Sequence, residues 1–107
     1  MNNRELKFRI WYYDQKKFDF NVELKDFSKY SFPLYWCKVQ QYTGLKDSQG
    51  VEIYEGDIIL NDEDKEIVRW GFCGWLCGNE SFVGVDIQSI EVVGNIFENP
   101  ELLKTNE

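Results

Sequence analysis

The stretch from Lys7 to Leu24, KFRIWYYDQKKFDFNVEL, decides the fold class. Lys7 to Tyr13 consists almost wholly of β-favouring residues, with Phe8, Ile10 and Tyr12 on one side of an extended chain and Arg9, Trp11 and Tyr13 on the other. Asp14 to Lys17 is a short polar loop, and beyond it Phe18, Phe20, Val22 and Leu24 alternate without a fault against Asp19, Asn21 and Glu23. Period-two alternation on both sides of a polar loop predicts a hairpin whose second strand is half buried. It also assigns Phe18 and Phe20 to the same interior face as Val22.

The rest of the chain extends this pattern. Lys25 to Leu34 alternates poorly and ends in Phe32-Pro33, where the missing amide donor and the restricted preceding residue predict a loop. Tyr35 to Tyr42 reads as a strand, and Thr43 to Gly50 as a tight connection built on Asp47-Ser-Gln-Gly50. Short strands follow at Val51–Tyr54, Asp57–Leu60, Ile67–Trp70, Phe82–Val85 and Ile90–Phe97, separated by Glu55-Gly56, by Asn61 to Asp64 and by the glycine-punctuated segment Gly71 to Gly78. Gly94 marks a bulge or a close backbone approach. Asn99-Pro100 supplies an N-cap and first helical residue for a short C-terminal helical turn through Leu103. The expected fold is therefore mainly β with short antiparallel strands. An N-terminal hairpin region (1–41) packs on an SH3-like, partly open barrel region (42–107), all within a single domain spanning 1–107.

With 107 residues, a second independent core would have little to bury. Apolar residues make up 43% and aromatics 17%, which fits a folded domain with a ring-rich interior and excludes general disorder. Histidine is absent, which removes the commonest general base, the commonest zinc ligand and the usual nucleophilic triad. Cys37, Cys73 and Cys77 are too few to complete a soft-ligand metal site in one chain, and read as reduced, buried and inert thiols. The opening MNNRELKFRIWYY carries charge at Arg4, Glu5, Lys7 and Arg9, which is unlike a signal peptide. The longest uncharged run, Trp70 to Asn79, is too short to span a bilayer. A cytoplasmic protein without a membrane span is the expectation.

Charge is divided unevenly. Residues 1–41 hold eight basic and five acidic side chains, net +3, whereas residues 42–107 hold four basic and fourteen acidic ones, net −10, giving the overall −7. One half of a subunit meeting the other half of a neighbour would satisfy this split, so self-association is an expectation; the competing reading is that the acidic groups solvate turns. Twelve of the eighteen aromatic residues lie between Phe8 and Tyr42, among lysines and Arg9. The candidate interaction surface is accordingly Arg9, Trp11, Lys16 and Lys17 in the N-terminal third, with Trp70, Phe72 and Trp75 among the later glycines. In both groups ordinary core packing is the competing reading.

The carboxylates offer less. Glu52, Glu55 and Asp57, with Asp47 nearby, have the composition of an acid–base pair or a cation cage, but Asp57 follows a corner glycine, where a carboxylate accepts backbone N–H groups. Glu52 and Glu55 are expected to face water, and Asp62, Glu63 and Asp64 form a solvated turn. No phosphate-binding glycine motif occurs around Gly44, Gly50 or Gly56, and Thr43 and Ser48 have no base to activate them.

Three blocks add to this reading: ELKFRIW from Glu5 to Trp11, QYTGLKDSQGVEIYEGDII from Gln41 to Ile59, and VVGNIFENPELL from Val92 to Leu103. Together, and in this order, they resemble the YopX family of small phage and prophage proteins. The chain departs from the family's usual pattern at Phe97, where tyrosine is common, and at Ile10-Trp11-Tyr12, where Ala-Trp-Asp is common. The resemblance implies a phage or prophage origin, a β-rich fold and no defined reaction. The expected role is a non-enzymatic accessory protein without catalytic, metal or cofactor residues, acting by self-assembly or by contact with a host or phage protein. A nucleic-acid-binding module using the basic aromatic N-terminal third is the alternative, although a net charge of −7 repels phosphate. A metal-dependent enzyme is a distant third.

Overall fold

A computed structural model describes residues 6–23, 25–26, 37–71, 74–78, 80–82 and 86–103. Its strands are β1 (Lys7–Tyr12), β2 (Lys17–Glu23), β3 (Cys37–Lys46), β4 (Glu52–Tyr54), β5 (Asp57–Asn61), β6 (Asp64–Gly71), β7 (Gly74–Cys77), β8 (Glu80–Ser81) and β9 (Ile90–Asn95). Two antiparallel sheets result, in the orders β2-β1-β3-β4 and β8-β7-β6-β5-β9. The described residues also form single 310 turns at Ile87–Ser89 and Pro100–Leu103, the second being the expected C-terminal helical turn. The mainly β, antiparallel reading holds. Among the described residues the strands pair into two sheets without closure, and this pairing does not by itself establish the SH3-like, partly open barrel. No described helix is long and apolar enough to cross a bilayer.

The hairpin forms as expected, but β2 does not keep its alternation. Phe8 pairs with Val22 and Ile10 with Asp19, so Phe20 and Asn21 together oppose Arg9. This is a bulge, and Asn21 adopts the left-handed φ of 62° there. One extra residue flips the face of everything beyond it. Val22 therefore joins Ile10 and Cys37 in one apolar cluster, whereas Phe18 and Phe20 lie on the opposite face with Arg9 and Trp11. The expectation that Phe20 shares an interior face with Val22 is corrected: Phe20 is 50% exposed.

β3 is also longer than expected. It runs unbroken across the point between residues 41 and 42 where the charge changes sign, and continues to Lys46 through an irregularity opposite Ile53. Thr43 stands in for part of the ladder there, its hydroxyl donating to the Ile53 carbonyl at 2.7 Å and accepting from the Leu45 amide at 3.1 Å. The tight connection is thus confined to the turn closed by Asp47 N–H on the Val51 carbonyl. The Asp57 corner, the Asp62-Glu63 turn and the bulge at Gly94 occur where the sequence puts them, the last between pairs Ile58–Gly94 and Ile59–Val92. β8 ends at Ser81, just before the strand expected at Phe82–Val85, of which Val83 to Val85 lie outside the described residues, as do Trp36, Cys73 and most of the loop expected at Lys25–Leu34.

The second sheet packs its interior around Ile53, Ile59, Val68, Cys77 and Ile90, all essentially inaccessible, with Leu45, Trp75, Phe82, Ile87 and Val92 against them. Burying each aliphatic side chain of this size contributes about 1.5–3 kcal/mol. Ile53 comes from β4 of the first sheet, so this core packs the two sheets against each other.

Candidate functional site

Both faces of β1 are covered, and one carries a buried cation. Arg9 Nη1 lies 2.9 Å from Asp57 Oδ1, Nε donates to Gln40 Oε1 at 2.8 Å, and Nη2 donates to the Glu55 carbonyl at 3.1 Å. The guanidinium is sandwiched between the rings of Phe18 and Tyr54, 4.4 and 4.9 Å from their centroids. The other Asp57 oxygen accepts the Tyr54 amide at 2.7 Å, as expected for a carboxylate at this corner. Burial pushes Asp57 up to about 6 against the opposing pull of Arg9, and it lowers Arg9 as well. Burial, reinforced by Glu52, raises the Tyr54 phenol to about 12.

Gly56 makes this arrangement possible. Its φ is +87°, and a Cβ there would sit 2.0 Å from the Gln40 side-chain nitrogen. The close approach lets Gly56 donate to the Val68 carbonyl and accept from the Ile96 amide, tying the corner to β6 and to the turn after β9.

A cleft of about 360 Å³ opens above the ion pair. Arg9, Phe20, Glu52 and Tyr54 line it from the first sheet, and Val92, Asn95 and Glu98 from the far side, with Val51 at the rim. Phe20 and Val51 are 50% and 47% exposed. Asn95 shapes the far wall: its Oδ1 accepts the amides of Phe97 and Glu98, and its Nδ2 donates to Glu98 Oε1 at 2.8 Å. Asn99 stands in the expected position before the Pro100–Leu103 turn, its carbonyl accepting the Leu102 amide at 3.0 Å, while its carboxamide oxygen turns back to the Asn95 amide at 3.2 Å. Glu52, expected to face water, is only partly exposed and takes the Lys7 ammonium. Glu55 accepts from the Gln41 amide at 3.4 Å. Asp47 is buried, and joins the sheets by accepting the amides of Gln49, Val51 and Val92, each at 2.8 Å.

The proposed surface residues are scattered by this fold. Arg9 and Trp11 are 3% and 5% exposed, Trp11 being stacked on Phe97 at 5.1 Å, so neither presents a surface. Lys16 and Lys17 are exposed at the β1–β2 turn of the first sheet. Trp70 is 59% exposed in the second sheet and meets the partly buried Trp75 edge-on at 4.9 Å, across the β6–β7 ladder. Trp75 Nε1 is buried without a hydrogen-bond partner. Phe72 lies outside the described residues. The sequence reading missed Phe20, Val51 and Glu98 as cleft residues. Its one available signal was Asn21, an unfavourable strand residue in the middle of β2.

Chemically, the floor is self-satisfied. Arg9 and Asp57 neutralise one another, and Cys37 and Cys77 are buried, the Cys37 thiol being pushed up by burial. Among the described residues no group of three or more His, Cys, Asp or Glu side chains is placed to hold a metal ion. What remains open is an apolar rim beside carboxylates.

The fold and cleft define a two-sheet antiparallel β domain braced by a buried ion pair. The chain belongs to the YopX family, whose model, described as YopX protein, matches residues 2–104. Among solved structures it is similar to protein EF1440 from Enterococcus faecalis, at 25% identity over 94% of this chain and 99% of that one, with a TM-score of 0.72. No curated protein matches the sequence.

Proposed function

We propose that this chain is a non-enzymatic phage or prophage accessory protein, working in the host cytoplasm through contacts with protein, its own copies included. The observation that carries this reading is the half-exposed pair Phe20 and Val51 at the mouth of a cleft whose charged floor is already satisfied. Exposed apolar side chains rimmed by polar groups favour association over chemistry. The resemblance to phage and prophage proteins supports the setting.

Light scattering across a concentration range, paired with affinity capture from cells expressing the protein, tests the proposal. Wild type should form a complex, with itself or a captured protein, that Phe20→Ser with Val51→Ser weakens while the far-UV spectrum stays unchanged. A monodisperse monomer that captures nothing, or a complex indifferent to those substitutions, overturns it.

The nucleic-acid reading retains Lys16, Lys17 and the 46%-exposed Tyr13 on the surface, but must do without Arg9 and Trp11, which point inward. A salt-dependent mobility shift with single-stranded DNA, lost on Lys16→Glu with Lys17→Glu, is its test.

A further inference from the structure

We propose that the cleft receives the β1–β2 turn of a second copy of this chain, so that two copies exchange turns. This deepens the protein-contact reading and rests on it. The cleft and the turn belong to one surface, because Tyr13, beside the turn, packs its ring edge-on against Phe97 at 5.8 Å, and the next residue, Glu98, lines the cleft. A surface carrying both a projection and a receptor is self-complementary, and a two-fold axis then makes two identical contacts at once.

Charge selects this occupant. Of the carboxylates lining the cleft, Asp57 is paired with Arg9 and Glu52 with Lys7, which leaves the exposed Glu98, bonded through one oxygen to the Asn95 carboxamide, to meet an incoming cation. The turn carries exposed Lys16 and Lys17 between Asp14 before them and Asp19 two residues after them. Lys16 is held at a left-handed φ of 53°, and its amide is anchored to the Tyr12 carbonyl at 2.8 Å, so the turn is shaped before it docks. Tyr13, 46% exposed, brings an apolar surface to meet Phe20 and Val51. The contact also pairs the basic first third of one copy with the acidic remainder of the other.

A charge swap tests the proposal. One variant carries Lys16→Glu with Lys17→Glu; the other carries Glu98→Lys. All three proteins are first checked for an unchanged far-UV spectrum and unfolding midpoint, then measured by sedimentation equilibrium alone and as a one-to-one mixture of the variants. Wild type should self-associate, more weakly as salt rises. Each variant alone sets like charges against each other in both contacts, and should weaken association at least about tenfold. In the mixture both contacts again pair opposite charges, so association should return to within about threefold of wild type. A wild type that associates but is indifferent to these changes, or a mixture no better than its parts, overturns the turn exchange and leaves protein contact standing. A wild type that stays monomeric up to millimolar concentration overturns the exchange; protein contact as a whole falls only if affinity capture is also empty.

Discussion

Arg9 and Asp57 meet at 2.9 Å with side chains only 4% and 3% exposed, one from the middle of β1 and the other from the first residue of β5. The pair therefore joins a strand of the first sheet to a strand of the second. Withdrawing both charges from water costs several kcal/mol per ion before pairing returns any of it. The burial-driven shifts of both groups toward neutrality reflect that balance. The pair fixes how the two sheets meet.

Removing one partner should therefore cost more than removing both. Arg9→Met leaves the Asp57 carboxylate buried with only the Tyr54 amide, and should destabilise the fold by about 3–5 kcal/mol in urea unfolding. Arg9→Met combined with Asp57→Asn removes both charges, while the carboxamide oxygen can still accept from Tyr54. The double variant should be the more stable of the two. Equal or greater loss would mean that the Asp57 carboxyl, left without Arg9, is no burden to the fold.

Gly56 and Gly50 separate two reasons for glycine. Gly50, at φ +82°, has open space where a Cβ would go, so Gly50→Ala should cost only the left-handed backbone, about 1–2 kcal/mol. Gly56→Ala adds a collision with Gln40, which is buried and bonded to Arg9. Its cost should exceed that of Gly50→Ala by about 1–3 kcal/mol. In a Gln40→Ala background the excess should vanish, as read from chemical unfolding.

Asp47 tests the join between the sheets. Asp47→Ala strands the amides of Gln49, Val51 and Val92, and should destabilise by roughly 2–4 kcal/mol, because these amides are only part-buried and each costs less than the about 1–3 kcal/mol of a fully buried one. Asp47→Asn keeps one acceptor oxygen and turns an NH2 toward the third amide. Hydrogen exchange should show Val92 losing protection in Asp47→Asn while Gln49 and Val51 keep theirs. Uniform loss across the three would mean that the turn itself has opened.

The strand class was legible because period-two alternation and turn residues mark it locally, as at Asp62-Glu63 and Gly94. The face of a strand beyond a bulge was not, since the faultless alternation of Phe18, Phe20 and Val22 hides the extra residue at Asn21. Arg9 was read as surface because a charged residue opposite Phe8 and Ile10 normally faces water. Its partner lies 48 positions away, and no local pattern carries such a pairing. The cleft escaped the sequence for the same reason: its lining comes from β1, β2, β4, β5, β9 and the turn after β9, which only the tertiary fold assembles.

The Arg9–Asp57 pair finally implies a pH dependence with an unusual sign. A carboxylate stabilised by its partner has a folded pKa below the ordinary value, and its stabilisation is lost as pH falls. Asp57 goes the other way, rising from 3.8 to about 6 because burial outweighs Arg9. Between pH 4 and 6 the folded chain thus holds this proton more tightly than the unfolded chain does. The contribution is complete below the unfolded value of 3.8 and is lost as pH rises through about 6. Other carboxylates titrate in the same window, so the comparison is with Asp57→Asn, which lacks only this group. Measured by urea unfolding from pH 4 to pH 7, wild type should lose stability relative to the variant, by on the order of 3 kcal/mol over the whole range. A wild type that instead gains on the variant as pH rises would mean that Arg9 more than repays the burial of Asp57. Arg9→Met would then lose most above pH 6, where the orphaned carboxylate must stay charged or take up a proton to remain inside.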